Sequence, residues 1–111
     1  MTNTYRNIGW TELQRDTLAL CRGLDRGFRG IVAVSRGGLV PAAIAARALG
    51  IRLVESFAIA TYQEEERGLP EILKPPTAAG DGAGFLVLDD MVDSGATARA
   101  VRAALPNALF A

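Results

Sequence analysis

Four apolar residues, Phe85-Leu86-Val87-Leu88, run straight into two adjacent carboxylates, Asp89 and Asp90. A short apolar run without polar alternation reads as a strand buried on both faces, as in a parallel sheet covered by helices. Beyond the acids, Met91-Val92-Asp93-Ser94-Gly95-Ala96-Thr97 reads as a loop that opens a helix. A second unit of the same kind precedes it. Ile31-Val32-Ala33-Val34-Ser35 is a β-branched apolar run, followed by Arg36-Gly37-Gly38 and an alanine-rich segment over residues 39–49. That segment reads as a helix with Pro41 confined to its first turn and Gly50 as its stop. Residues 52–60 supply another strand through Leu53, Val54, Phe57 and Ile59. Strand, helix and strand with short links imply a parallel pair joined by a right-handed crossover. The expected fold class is α/β: an open, mostly parallel sheet with flanking helices.

The remaining chain fits around these units. Thr11-Glu12-Leu13-Gln14 has the form of a capping box, and Leu13, Thr17, Leu20, Cys21 and Leu24 fall on one face of the helix it would start. That helix is expected to stop between Leu24 and Gly27. From residue 63 to 82 the periodicity dissolves into Glu, Gly and Pro, and only Glu71-Ile72-Leu73-Lys74 has the makings of a short strand. A stretch this long is either a functional lid or a solvated acidic surface loop. The strand over residues 85–89 is followed by a helix from near Thr97 to Leu105, with Ala98, Val101 and Leu105 facing inward. Ala108-Leu109-Phe110-Ala111 reads as the opening of a further strand.

At 111 residues the chain is at most one domain. Twelve basic and twelve acidic residues cancel, so nothing recommends a nucleic-acid partner. The absence of histidine excludes His-based catalysis and His-ligated metal sites. Cys21, the only cysteine, leaves no internal disulfide or thiolate zinc site and reads as a buried helical thiol. The first residues lack the apolar core of a signal peptide, and no apolar run would span a bilayer. A cytoplasmic setting is expected.

Open α/β sheets bind ligands beyond the carboxyl ends of their strands, where strand order reverses. Two such ends carry unusual residues. At the first, the backbone N–H groups of Ser94 to Thr97 would face a ligand at the positive end of a helix dipole, which favours phosphate. Gly95 allows close approach, and Ser94 and Thr97 add hydroxyls. Alternatively, Asp93 or Ser94 simply caps the helix. Asp89 and Asp90 repel each other as neighbours, so a divalent cation or a ribose diol explains them better than packing does. At the second end, Ser35-Arg36-Gly37-Gly38 is either a tight turn or an anion loop in which Arg36 makes charge-assisted bonds to phosphate oxygens. Two anion loops at one sheet edge suit a ligand phosphorylated at both ends.

The stretch Phe85-Leu86-Val87-Leu88-Asp89-Asp90-Met91-Val92-Asp93-Ser94-Gly95-Ala96-Thr97 resembles the signature of type I phosphoribosyltransferases, which bind 5-phosphoribosyl 1-pyrophosphate (PRPP). Gly30-Ile31-Val32-Ala33-Val34-Ser35-Arg36-Gly37-Gly38-Leu39-Val40-Pro41, Trp10-Thr11 and Gly80-Asp81-Gly82-Ala83-Gly84-Phe85 extend the resemblance, most closely to the bacterial xanthine-guanine branch. The resemblance implies that Asp93, Ser94, Gly95, Ala96 and Thr97 hold the 5-phosphate. Asp89 and Asp90 would serve the ribose hydroxyls and Mg²⁺, with Asp90 the principal metal contact. Ser35, Arg36, Gly37 and Gly38 would hold pyrophosphate, in a loop that often carries a cis peptide. Arg36 and Asp93 would be the catalytic residues, Asp93 by managing the purine proton.

The same resemblance implies PRPP and a purine base as partners, a homo-oligomer, and a flexible lid over residues 61–83. Members of the branch continue for several tens of residues past the equivalent of Ala111, with a lysine and an aromatic residue for the base. The domain over residues 1–111 is therefore expected to be incomplete at its C-terminal side, with later strands missing. Three functions follow: a purine phosphoribosyltransferase, a non-catalytic PRPP or nucleotide-binding module, and a truncated, inactive family member.

Overall fold

A computed structural model describes residues 10–24, 27–60, 71–89 and 95–110. Along the chain run α1 (Trp10–Arg22), β1 (Gly30–Ser35), α2 (Leu39–Leu49), β2 (Val54–Ala60), β3 (Glu71–Lys74), a 3-10 turn (Thr77–Ala79), β4 (Phe85–Leu88), α3 (Gly95–Ala104) and β5 (Leu109–Phe110). The strands form one sheet in the order β3-β2-β1-β4-β5. All pairings are parallel except that of β3 with β2.

The apolar run of β1 takes the central place that its composition demands. Successive side chains of a strand point to opposite faces. Ile31 and Ala33, in register with Leu86 and Leu88 of β4, therefore face one layer, packed with Cys21 of α1 and Ala42, Ala45, Ala46 and Leu49 of α2. Val32, Val34, Phe85 and Val87 face the other, packed with Phe57, Ala79 and, from α3, Val101 and Leu105. The small side chains of α2 let its backbone lie close to the sheet. Its end is set by Gly50, whose φ of 70° is left-handed. That turn lets the N–H of Ile51 reach the carbonyl of Ala46 at 2.8 Å.

Several boundaries differ from expectation. Thr11 lies inside α1 rather than capping it, since the helix already includes Trp10; a Thr three residues before a Gln is equally at home within a first turn. Thr17 and Cys21 are buried as expected, but Leu20 is exposed, and α1 ends at Arg22, before Leu24. Gly23 and Leu24 leave it by bonds to the carbonyls of Leu20 and Cys21. β2 begins at Val54 rather than Arg52, and α3 begins at Gly95, two residues before the expected Thr97. The expected strand at the end of the described residues is present: Leu109 and Phe110 pair in parallel with Leu86 and Val87.

The segment expected to serve as a lid divides in two. Residues 61–70 lie outside the described residues. Glu71–Lys74 forms the short edge strand, and its far end is fastened to β2. The Glu55 carboxylate accepts bonds from the Lys74 Nζ at 2.8 Å, the Ala78 N–H at 2.8 Å and the Ser56 N–H at 2.9 Å. These donors, the Lys74 ammonium first, hold the Glu55 carboxyl below its ordinary value of 4.5. A depressed folded-state pKa means stability that is present above the unfolded value and lost as pH falls through the folded one. We expect Glu55→Gln to lower stability by about 1 kcal/mol at neutral pH. The gap from the native protein should close on acidification below pH 4.5. Urea unfolding across that range measures it; a gap independent of pH would show that the carboxylate charge plays no part.

Among the described residues, no helix is long and apolar enough to cross a membrane.

Candidate functional site

The crossover α2 carries the chain from β1 to β2 on one face of the sheet, while α3 carries it from β4 to β5 on the other. The neighbouring strands β1 and β4 thus send their connections in opposite directions, and a crevice opens between their carboxyl ends. The two sequence units singled out above meet at this point.

On the β1 side, the peptide bond between Ser35 and Arg36 is cis. The turn that follows is tied down by its own backbone: Gly38 N–H to the Val34 carbonyl at 2.8 Å, Leu39 N–H to the Arg36 carbonyl at 3.1 Å. Ser35 and Gly37 are half-buried, Gly38 is buried, and the Arg36 side chain is exposed at the sheet edge. Gly38 begins α2 with no side-chain cap. It also touches the other unit. A Cβ at position 38 would run into the Leu88 carbonyl oxygen and would lie 2.9 Å from the Val34 oxygen. Only glycine permits this approach, which seats the Arg36 turn on the end of β4, one residue before Asp89.

On the β4 side, Asp89 is half-buried and lines a cleft of about 240 Å³. Val34 and Val87 form its floor, Ala98, Val101 and Arg102 of α3 one wall, and Phe110 another. Gly95, Ala96 and Thr97 form the first turn of α3, with Thr97 half-buried. The N–H groups of that turn, which have no partner within the helix, belong to the same edge as Asp89. Asp90, Asp93 and Ser94 lie outside the described residues. Among the described residues, no group of three or more potential metal ligands occurs.

The structure therefore brings Ser35, Arg36, Gly37 and Gly38 to the same edge as Asp89, Gly95, Ala96 and Thr97. It adds a pair that sequence reasoning passed over. The Arg102 guanidinium lies 5.3 Å from the centroid of the Phe110 ring, within cation–π range. The available signal was positional: Arg102 follows the inward-facing Val101 and so sits on the rim of the buried helical face.

The family model for the phosphoribosyl transferase domain matches residues 16–108. The chain belongs to the phosphoribosyltransferase family. Two curated relatives are xanthine-guanine phosphoribosyltransferases. That of Gluconobacter oxydans is 52% identical, over 96% of this chain and 67% of the relative. That of Chromohalobacter salexigens is 49% identical, over 93% of this chain and 63% of the relative. This phosphoribosyltransferase chain thus spans about two thirds of the length of these relatives. Among solved structures, a purine phosphoribosyltransferase from Pyrococcus horikoshii superimposes with a TM-score of 0.74 at 28% identity, over 92% of this chain and 70% of that one. The open, mostly parallel sheet with helices on both faces is thus a phosphoribosyltransferase fold, and the crevice lies at its switch point.

Proposed function

We propose that this phosphoribosyltransferase transfers the 5-phosphoribosyl group of PRPP to a purine base of the xanthine-guanine type and releases pyrophosphate. The observation that carries the reading is the contact of Gly38 with the Leu88 carbonyl. It joins a turn bearing a guanidinium to a strand end bearing a carboxylate, followed at the same edge by a helix start. A ligand with a phosphate at one end, a diol in the middle and a pyrophosphate at the other matches that order of groups.

In this reading the bond from the anomeric carbon to the pyrophosphate oxygen breaks, and a bond from a purine nitrogen to that carbon forms. Charge builds on the departing pyrophosphate. The backbone of the turn is held by its own hydrogen bonds before the reaction begins, and from it the Arg36 guanidinium meets that charge. Asp89 and Asp90 hold the ribose hydroxyls. Thr97 and the turn of Gly95 and Ala96, with Asp93 and Ser94, hold the 5-phosphate, which keeps the sugar in line with the incoming base. Asp93 accepts the proton that the purine nitrogen sheds.

Adjacent carboxylates are hard oxygen donors, and Mg²⁺ takes one or two of these while keeping waters and substrate phosphates as its other ligands. The donor set at Asp89 and Asp90 fits that ion. When bound, it would neutralise part of the pyrophosphate charge.

Incubation with Mg²⁺, PRPP and guanine or xanthine should yield the nucleoside monophosphate. PRPP binding without turnover would instead favour a non-catalytic binding module, and no binding by folded protein would remove the site. Asp90→Asn should weaken Mg²⁺-dependent PRPP binding, measured calorimetrically, by more than it lowers the unfolding midpoint. The reverse pattern would make the acidic pair structural.

A further inference from the structure

The stretch Gly80-Asp81-Gly82-Ala83-Gly84 belongs to the family resemblance, yet the site described above leaves it without a part. It lies at the amino end of β4, beside the turn from α3 into β5. Three segments converge on it. The Arg29 N–H, just before β1, donates to the Gly84 carbonyl at 2.7 Å. The Arg29 guanidinium donates to the Ala83 carbonyl at 3.2 Å and lies 5.2 Å from the centroid of the Phe85 ring. Within the loop, the Gly82 N–H donates to the Ala79 carbonyl and the Phe85 N–H to the Gly82 carbonyl, both at 2.9 Å. The loop is therefore fixed to both central strands, and it holds the end of α3 in turn. The Asp81 carbonyl accepts the Asn107 N–H at 3.0 Å. The Asp81 carboxylate accepts the Asn107 side-chain amide at 2.8 Å and the Ala83 N–H at 3.0 Å. Gly82 is pressed against the same turn: a Cβ there would lie 2.8 Å from that of Ala108 and 3.0 Å from that of Leu105.

We propose that Asp81 and Asn107 are positioning residues for the phosphate turn of Gly95, Ala96 and Thr97, acting through α3; this rests on the reading of that turn as the seat of the 5-phosphate. A helix of 10 residues is a rod about 15 Å long, so what fixes one end aims the other. The two ends of α3 are held unequally. Leu105, beside the Asp81 loop, is fully buried, and its N–H continues the helical bonding to the Val101 carbonyl at 3.0 Å. Towards the site, the cleft of about 240 Å³ opens between Ala98 of α3 and Val34 and Val87 of the strands. Packing on the sheet therefore constrains the phosphate end less than the Asp81 end. The contact of Arg102 with Phe110 steadies the middle of the helix against β5, but it lacks the direction of the paired bonds between Asp81 and Asn107. The Ala83 N–H first, and the Asn107 amide after it, hold the Asp81 carboxyl below its ordinary value of 3.8. As a carboxylate it only accepts, which fixes the orientation of both donors. Placement matters at the far end because a displacement of about 1 Å can cost on the order of 10²-fold in an enzyme site.

Exchanging the two side chains tests this. Asn107→Asp alone sets two carboxylates against each other. Asp81→Asn combined with Asn107→Asp restores the bond with donor and acceptor reversed, and the amide oxygen so introduced still accepts the Ala83 N–H. In the single variant the backbone amide resonances of Gly95, Ala96 and Thr97 should shift, although they lie up to about 15 Å away along α3. Mg²⁺-dependent PRPP binding per folded molecule, measured calorimetrically, should weaken about tenfold. The double variant should return both to the native values. Asn107→Ala, which removes the side-chain bond without adding charge, takes the place of the single variant if that fails to fold. Resonances of the phosphate turn that stay in place in a folded single variant would overturn the proposal. So would an unchanged PRPP affinity, or a double variant that recovers the unfolding midpoint but not the affinity. Each would make the Asp81 loop a matter of stability alone. A native chain that binds no PRPP would end the proposed reaction, while the resonances would still decide whether Asp81 and Asn107 place the turn.

Discussion

Alanine at position 38 is expected to lower stability by about 1–3 kcal/mol, the usual range for forcing a methyl group into packed space. It is also expected to weaken PRPP binding by more than that loss explains. The methyl carbon would meet the Leu88 carbonyl oxygen, with the Leu88 carbonyl carbon 3.0 Å away and the Val34 oxygen at 2.9 Å. All three are backbone atoms of the two central strands, and neither strand can yield without disturbing the ladder between them. The turn must therefore lift away from β4. That motion would separate Arg36 from Asp89 and break the 2.8 Å bond from the Gly38 N–H to Val34. Gly27→Ala is the control, because a Cβ there meets nothing within 4 Å. Urea midpoints give the stability term, and titration calorimetry on the folded fraction gives the PRPP term. An unfolding midpoint and PRPP affinity equal to those of the native protein would mean that the close approach does not govern the site.

The legible parts of this fold are those whose cause is local. β1 and α2 follow from a β-branched run, two glycines and an alanine-rich segment closed by Gly50, and the observed bounds of α2 coincide with the expected residues 39–49. The rule that ligands bind beyond the carboxyl ends of the strands then places the Arg36 turn and Asp89 at one edge. What was not legible depends on residues far apart in the chain. The contact between Gly38 and Leu88 leaves no periodic trace. The same holds for Glu55, an unremarkable acid in a strand until Lys74 and Ala78 are brought to it across the antiparallel edge. That clamp fixes the turn of Thr77–Ala79 behind Pro75 and Pro76 and the short strand over residues 71–74 that the sequence offered as the one candidate in this stretch. The start of α1 was misplaced for a different reason: Thr11 and Gln14 satisfy a capping pattern that a helix interior also tolerates.

Replacing Arg36 with alanine should leave stability within about 0.5 kcal/mol of the native value, since the side chain is exposed. It should nevertheless lower kcat about 10²–10³-fold, the loss typical of removing one preorganised donor to a developing anion. This separates it from Gly38→Ala, which acts through the backbone and moves both quantities. Arg36→Lys retains the charge but not the planar fork that binds two phosphate oxygens at once, so it should recover only part of the rate. The pattern of losses locates the charge being stabilised. If Arg36 serves the departing pyrophosphate, kcat falls while KM for the purine base changes little. If it merely attracts PRPP to the edge, KM for PRPP rises, kcat holds, and added salt weakens the native enzyme and abolishes the difference. Turnover by Arg36→Ala at the native rate and native PRPP affinity would leave the β1 turn without a role in the reaction, and the pyrophosphate would have to be held elsewhere.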